Sequence, residues 1–378
     1  MKKIGCMFLL LLIIFPFNII KASELAPNAS SVIVIEPTTG EIIYERNSHE
    51  RRHPASMTKI MTMLLTIEAI ENKVINWNDI VTVSENASSM GGSQILLETN
   101  EQMTVEDLFK GVAVASGNDA AVALAEKIAG TEEAFVEMMN KRAKELGLKD
   151  TNFKNPHGLD EANHYSSAYD MSMMAKELVK HPKVLEFTSI YEDYLRKGTN
   201  RAFWLVNTNK LVRFKNGVDG LKTGYTSEAG FCITATANIN NMRIIIVVMG
   251  EPDSKTRNAD VSSVFDYVYA QYGLKTIIDE NTILDNVKIE KGKIDTVDIV
   301  SKEKITDLYK KTDGESEFTY ELKVDKIKAP VKNGDVVGKL ILKENNSEIK
   351  TIDLTVKEDV EKASILDLYI RYLKEYLG

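Results

Sequence analysis

The chain has 378 residues, 44% hydrophobic and 27% charged, with only 8 prolines and 21 glycines. That composition excludes a fibrous or low-complexity chain and leaves a globular protein long enough for two domains. Acidic residues outnumber basic ones, 55 to 47, for a formal charge of −8, which disfavours nucleic acid as a partner.

Lys2 and Lys3 precede an apolar run from Phe8 to Phe17 and a small-residue site at Ala22-Ser23. This layout predicts a secretory signal peptide over 1–22, cut after Ala22 or Ser23. A retained membrane span is the other reading. It is opposed by Pro16 and Asn18 and by a run short of the ~20 apolar residues a span needs. Removal after Ala22 leaves 44 basic against 55 acidic residues, a net charge of −11. Cys6 leaves with the signal, so Cys232 stands alone and no internal disulfide is expected. Export without disulfides points to a bacterial envelope.

Two β-branched runs, 31–36 and 41–45, flank Pro37-Thr38-Thr39-Gly40 and read as a hairpin. From Met57 to Lys73 the apolar spacing turns helical. Further helices are predicted near 104–115, 118–129, 131–146 and 168–180, the last closing at His181-Pro182. Strand character returns at 229–238 and 242–249, and a helix near 258–272 ends by Gly273. The order predicts an α+β domain over 23–275 whose early and late strands share one antiparallel sheet. Beyond it, period-2 runs such as Phe318 to Val324, with turns at Asp313-Gly314 and Asn333-Gly334-Asp335, predict a small all-β domain over 276–358.

Residues 359–378 form an amphipathic pattern, with Ile365, Leu366, Tyr369, Ile370, Leu373 and Tyr376 on one arc of a helical wheel. Two placements fit: a helix docked on the β-rich domain, or an interfacial helix on a membrane surface. The tyrosines suit an interface, whereas the balanced charge of the polar face does not suit strong attraction to anionic lipid.

Three short motifs carry the chemistry. In Pro54-Ala55-Ser56-Met57-Thr58-Lys59, a serine and a lysine three residues apart lie on one helix face. Serine needs a neighbouring base, and a lysine whose pKa is lowered by burial and nearby positive charge can supply one. The plain reading is a helix-capping serine and a surface lysine. Ser116-Gly117-Asn118 breaks the chain between two alanine-rich helices and offers a hydroxyl beside a carboxamide; ordinary helix-joining residues would look the same. Lys222-Thr223-Gly224-Tyr225 offers a cation and a hydroxyl that suit a carboxylate, with a glycine that admits close backbone approach. It also reads as a plain strand with an exposed lysine. Each motif alone is weak. In this order, on an α+β pattern, they match the set associated with penicillin-binding proteins and class A β-lactamases.

With the Asn155-Pro156-His157-Gly158-Leu159-Asp160 turn and the run from Tyr165 to Asp170, the chain resembles the D-alanyl-D-alanine carboxypeptidases of peptidase family S11, the low-molecular-weight penicillin-binding proteins. The resemblance implies a β-lactamase/transpeptidase-like catalytic domain followed by a β-rich domain. It implies Ser56 as acylated nucleophile, Lys59 as its proton acceptor, and Ser116 as a proton relay. It further implies Asn118 as holder of the substrate amide, Lys222 and Thr223 as binders of the terminal carboxylate, and the N–H groups of Ser56 and Tyr225 as the oxyanion hole. Arg257 is a further candidate for the carboxylate. Some members carry His where this chain has Tyr225, so only the backbone of that residue is implicated. The expected partners are peptidoglycan stem peptides and β-lactams, at the extracytoplasmic face of a bacterial membrane or in the wall.

Two rival identities differ from this one in specific residues. A class A β-lactamase would carry Asp at position 117 and a Glu-x-x-x-Asn stretch after the second motif; the chain has Gly117 and no such stretch in the expected region. A silent relative that only binds peptidoglycan is opposed by the intact Ser56, Lys59, Ser116 and Lys222. No G-x-S-x-G elbow and no cluster of cysteines occurs, and neither a metal nor a cofactor is expected. His157, in its Pro-His-Gly turn, reads as structural.

Overall fold

A computed structural model of the protein describes residues 24–377, so the predicted signal peptide lies outside the described residues. The hairpin forms as strands β1 (Ser31–Ile35) and β2 (Ile42–Arg46). The helical middle follows as α1 (Lys59–Glu71), α2 (Val105–Ala115), α3 (Asn118–Ala129), α4 (Glu132–Glu145) and α5 (Ala168–Leu178). Side chains of Thr104, Thr131 and Ser167 cap α2, α4 and α5, each accepting a backbone N–H of the first turn. A small hairpin, β3 (Glu192–Leu195) and β4 (Phe203–Val206), precedes β5 (Val218–Thr226), β6 (Gly230–Ile239), β7 (Met242–Glu251) and α6 (Ser254–Gln271).

The main sheet has the order β2-β1-β7-β6-β5, and β1 pairs antiparallel with β7 from Ser31 opposite Met249 to Ile35 opposite Ile245. The expected union of early and late strands is therefore found. Its central strands read as unbroken apolar runs because both faces are buried. Ile33, Ile35, Ile245, Val247 and Met249 face the helical core with α1, α2, α3 and α5. Val32, Val34, Ile244, Ile246 and Val248 face Val261, Val264, Phe265 and Val268 of α6. Burying each such side chain contributes about 1.5–3 kcal/mol before entropy is counted.

One expectation is corrected at the first motif. Met57 to Thr58 is not regular α-helix: residues Ala55–Thr58 form a 3-10 turn, and α1 begins at Lys59. Ala55 enters that turn at φ 47°, a left-handed conformation that tightens the chain and sets Ser56 at the mouth of α1 rather than as its N-cap.

The strand that begins at Tyr272, a few residues before the expected division at 275/276, pairs antiparallel with Ile305–Lys310. Six further strands form one sheet in the order Phe318–Val324, Gly338–Glu344, Ser347–Val356, Thr296–Ser301, Ile283–Glu290, Ile327–Lys328. Their alternating inward residues, among them Leu340, Leu342, Ile352 and Leu354, make a separate small core. A last helix, α7 (Ile365–Leu377), follows.

Candidate active site

The site forms where the 3-10 turn meets the edge strand β5. Gly224 lies against the turn so closely that a Cβ there would stand 2.8 Å from Pro54 O and 3.2 Å from Met57 N. The third motif therefore needs glycine for the strand to reach the serine, as its sequence suggested. Gly158, at φ 87°, is tighter still: a Cβ would fall 1.9 Å from Ala55 O.

Lys59 is fully buried, and its Nζ has three oxygen neighbours: Ser56 Oγ at 3.1 Å, Asn118 Oδ1 at 2.6 Å and the backbone O of His157 at 2.7 Å. Burial holds its pKa well below the usual lysine value, Lys222 lowers it further, and Asp119 opposes both. A neutral amine has two N–H donors and one lone pair. With Asn118 and His157 taking the donors, the lone pair is directed at the Ser56 hydroxyl, which is the arrangement a general base requires.

Asn118 opens α3. Its Nδ2 donates to Gly91 O at 2.7 Å and its backbone N to Ser93 O at 2.7 Å, so its carboxamide is fixed from two sides. Ser116 sits at φ 64° as the left-handed C-cap of α2, nearly buried. Among the described residues no hydrogen bond joins its Oγ to Lys59 or Lys222.

Lys222 is buried, against the plain reading of an exposed strand lysine. Desolvation first and Arg257 second lower its pKa to about 7. Arg257, on α6, is buried as well and donates to Cys232 O at 3.4 Å and to Asn258 Oδ1. Thr223 Oγ1 donates to Thr208 Oγ1 at 2.8 Å. The Tyr225 side chain is exposed and tilted against Phe231, with ring centroids 4.3 Å apart, which leaves only its backbone for the site. Protonated Lys222 and Arg257 thus concentrate positive charge beside the neutral Lys59, a field that favours an anion.

The family model for D-alanyl-D-alanine carboxypeptidase matches residues 18–253, and that for the C-terminal domain of penicillin-binding protein 5 matches residues 272–362. The chain belongs to the D-alanyl-D-alanine carboxypeptidase family. It is 50% identical to the D-alanyl-D-alanine carboxypeptidase DacF of Bacillus subtilis over 95% of this chain and 91% of that one. Penicillin-binding protein 5 of Haemophilus influenzae superposes with a TM-score of 0.74 at 32% identity, covering 91% of this chain and all of that one. Penicillin-binding protein D2 of Listeria monocytogenes, solved in an ampicillin-bound form, superposes at 0.58 and 30% identity, covering 65% of this chain and 98% of that one. The activity is accordingly that of a serine-type D-Ala-D-Ala carboxypeptidase.

Two residues of this carboxypeptidase have roles that the motifs do not mark. His157 lies in a turn read as structural, yet its carbonyl holds Lys59. Its Nδ1 accepts from Leu159 N at 3.2 Å while Nε2 lies 3.5 Å from Glu132, so side chain and backbone act together to aim that carbonyl. Asp119 accepts from the backbone N–H of Ile95 and Leu97, tying segment 91–97 to α3. For Asp119 the available signal was its adjacency to Asn118 at a helix start; the His157 carbonyl had none, because a backbone acceptor is common to every residue.

Proposed function

We propose that this enzyme removes the terminal D-alanine from peptidoglycan stem peptides through an acyl-enzyme on Ser56. The observation that carries this reading is the buried Lys59 Nζ, 3.1 Å from Ser56 Oγ with its two remaining directions occupied by acceptors. Lys59 takes the Ser56 proton as Oγ bonds to the carbonyl carbon between the two D-alanines. The N–H groups of Ser56 and Tyr225 receive the oxyanion. The C–N bond breaks as the leaving amine gains a proton, relayed through Ser116. Water then attacks the ester, Lys59 again accepting a proton, and Ser56 is restored. Asn118 holds the substrate amide, while Lys222, Thr223 and Arg257 receive the terminal carboxylate. A β-lactam, which the Listeria relative holds as ampicillin, would acylate the same serine.

The test is fluorescent penicillin with the wild-type protein and Ser56→Ala, followed by release of D-alanine from a synthetic pentapeptide. Covalent label on the wild type and none on Ser56→Ala is expected. Equal label on both sinks the assignment, and no label on either favours the silent relative.

The carboxylate role of Lys222 carries a pH signature. Its amine is charged below about 7 and loses the proton above it, so attraction for an anionic terminus fades as pH rises through neutrality. KM for a free-acid peptide should climb on the alkaline side while that for the C-terminal amide stays level. Parallel pH profiles for the two peptides would remove Lys222 from this role.

We further propose export through residues 1–22, a catalytic unit over 23–275, a β-rich unit over 276–358, and a membrane-surface anchor at 359–378. No helix among the described residues is long and apolar enough to cross a membrane. Support for surface attachment comes from α7, where Ile365 is 88% and Leu366 66% exposed. Arg371 holds the helix to the β-rich part through Asp295 and Gly292 O, while Ile365, Leu366, Tyr369 and Ile370 stay exposed. Deleting residues 360–378 should move the exported enzyme from the membrane fraction to the soluble one. Unchanged fractionation would refute the anchor.

A further inference from the structure

The β3–β4 hairpin takes no part in the chemistry above, yet its turn reaches a segment that borders Asn118. Arg196 starts that turn at φ 52°. Its side chain is 8% exposed and that of its partner Glu101 only 11%, so the pair is largely out of water. Nε and Nη2 donate to the two Glu101 oxygens. The remaining directions of the same guanidinium go to backbone: Nη1 to Ile95 O at 3.0 Å and Nη2 to Leu96 O at 3.3 Å. Arg201, from the far side of the turn, adds a donor to Leu96 O at 3.1 Å.

The opposite side of the same loop faces the active site. Ile95 N and Leu97 N donate to the Asp119 carboxylate at 3.0 to 3.1 Å. Ser93 O and Gly91 O accept from the backbone and side chain of Asn118, and Asn118 Oδ1 accepts from Lys59 Nζ. Segment 91–97 therefore presents carbonyls outward to the arginine fork at residues 95 and 96 and is tied inward to Asp119 and Asn118. Hydrogen bonds, linked by short stretches of backbone at 91–95 and 118–119, join Glu101 to the lysine beside Ser56.

A buried ion pair is weak evidence of a stabilising role, since apolar side chains of similar volume often replace one without loss. What they do not replace is a rigid planar fork with five donors in fixed directions. Surface segments rich in glycine and serine, as Gly91-Gly92-Ser93 is, otherwise keep several conformations open. We propose that Arg196 is a positioning residue for acylation: by fixing the carbonyls of residues 95 and 96 it sets where segment 91–97 holds the Asn118 carboxamide against Lys59 and the substrate. The inference rests on the reading that Asn118 and Lys59 act in acylation.

The test uses the full chain and fluorescent penicillin. Arg196→Met combined with Glu101→Leu removes the fork without leaving a buried charge unpaired, and the Tm is expected to stay near the wild-type value. The acylation rate constant at saturation should fall about tenfold or more, as for other small displacements remote from the chemistry, with little change in binding affinity. Arg196→Lys, which keeps the charge but not the fork, should also stay low. In an Asn118→Ala background the same Met/Leu pair should add less than about a threefold further loss, because both changes act through one element. Wild-type acylation by the Met/Leu pair, or by Arg196→Lys, overturns the proposal, as do fully multiplicative losses in the Asn118→Ala background. Wild-type acylation by Asn118→Ala alone removes the underlying reading and the Arg196 role with it.

Discussion

Lys59→Met is expected to lower acylation by penicillin by roughly 10²–10⁴-fold, the range for loss of a positioned general base. Methionine keeps the unbranched shape of the side chain, so the buried channel beneath Ser56 stays filled. The fold should survive, for two effects oppose each other. The cost of holding an amine fully out of water vanishes, while Asn118 Oδ1 and the His157 carbonyl each lose a donor at 2.6 and 2.7 Å. Losing a hydrogen-bond partner in the interior costs about 1–3 kcal/mol per group, and relief of the amine's desolvation offsets part of it. Stopped-flow labelling alongside thermal melting separates chemistry from folding. Acylation within about tenfold of wild type would mean that another group accepts the serine proton.

The second large effect is expected at a residue that touches no substrate. Gly158→Ala should cut acylation by more than about 10²-fold, because misplacing a catalytic frame by 1 Å has that consequence. Two costs act there: the left-handed φ, and the collision of a Cβ with Ala55 O at 1.9 Å. Gly130 separates them. It has nearly the same φ, 85°, but a methyl group added there would meet no heavy atom within 4 Å. Gly130→Ala should therefore cost only the conformational strain, about 1–2 kcal/mol. Gly158→Ala adds overpacking of typically about 1–3 kcal/mol, and the backbone must give way at Ala55, adjacent to Ser56, or at His157, whose carbonyl holds Lys59. Melting temperature and labelling rate for the two variants decide the matter. Equal behaviour would show that the contact with Ala55 is slack.

Local sequence patterns specify several elements closely. The helices near 118–129 and 131–146 lie within a residue of α3 and α4, and the strands near 229–238 and 242–249 are β6 and β7. Short-range spacing suffices there, since helix caps and β-branched runs act over a few residues. The 3-10 turn at Ala55–Thr58 was missed because its cause is distant: Gly158 and Gly224 press on it from segments about a hundred or more residues away in the chain. The β3–β4 hairpin was also missed, its strands being only four residues each and mixed in polarity.

By itself the sequence determined the α+β order, the serine-lysine spacing, the two companion motifs, and the amphipathic end. These are patterns that one stretch of chain carries. Only the tertiary structure decided that Lys59 and Lys222 are both buried, that Asn118 and His157 occupy the donors of one while Arg257 lowers the pKa of the other, and that Arg196 grips the loop behind Asn118. The reason is physical. Whether a lysine serves as a base or a cation depends on its desolvation and on charges brought near it by folding, and neither is a property of its neighbours in sequence.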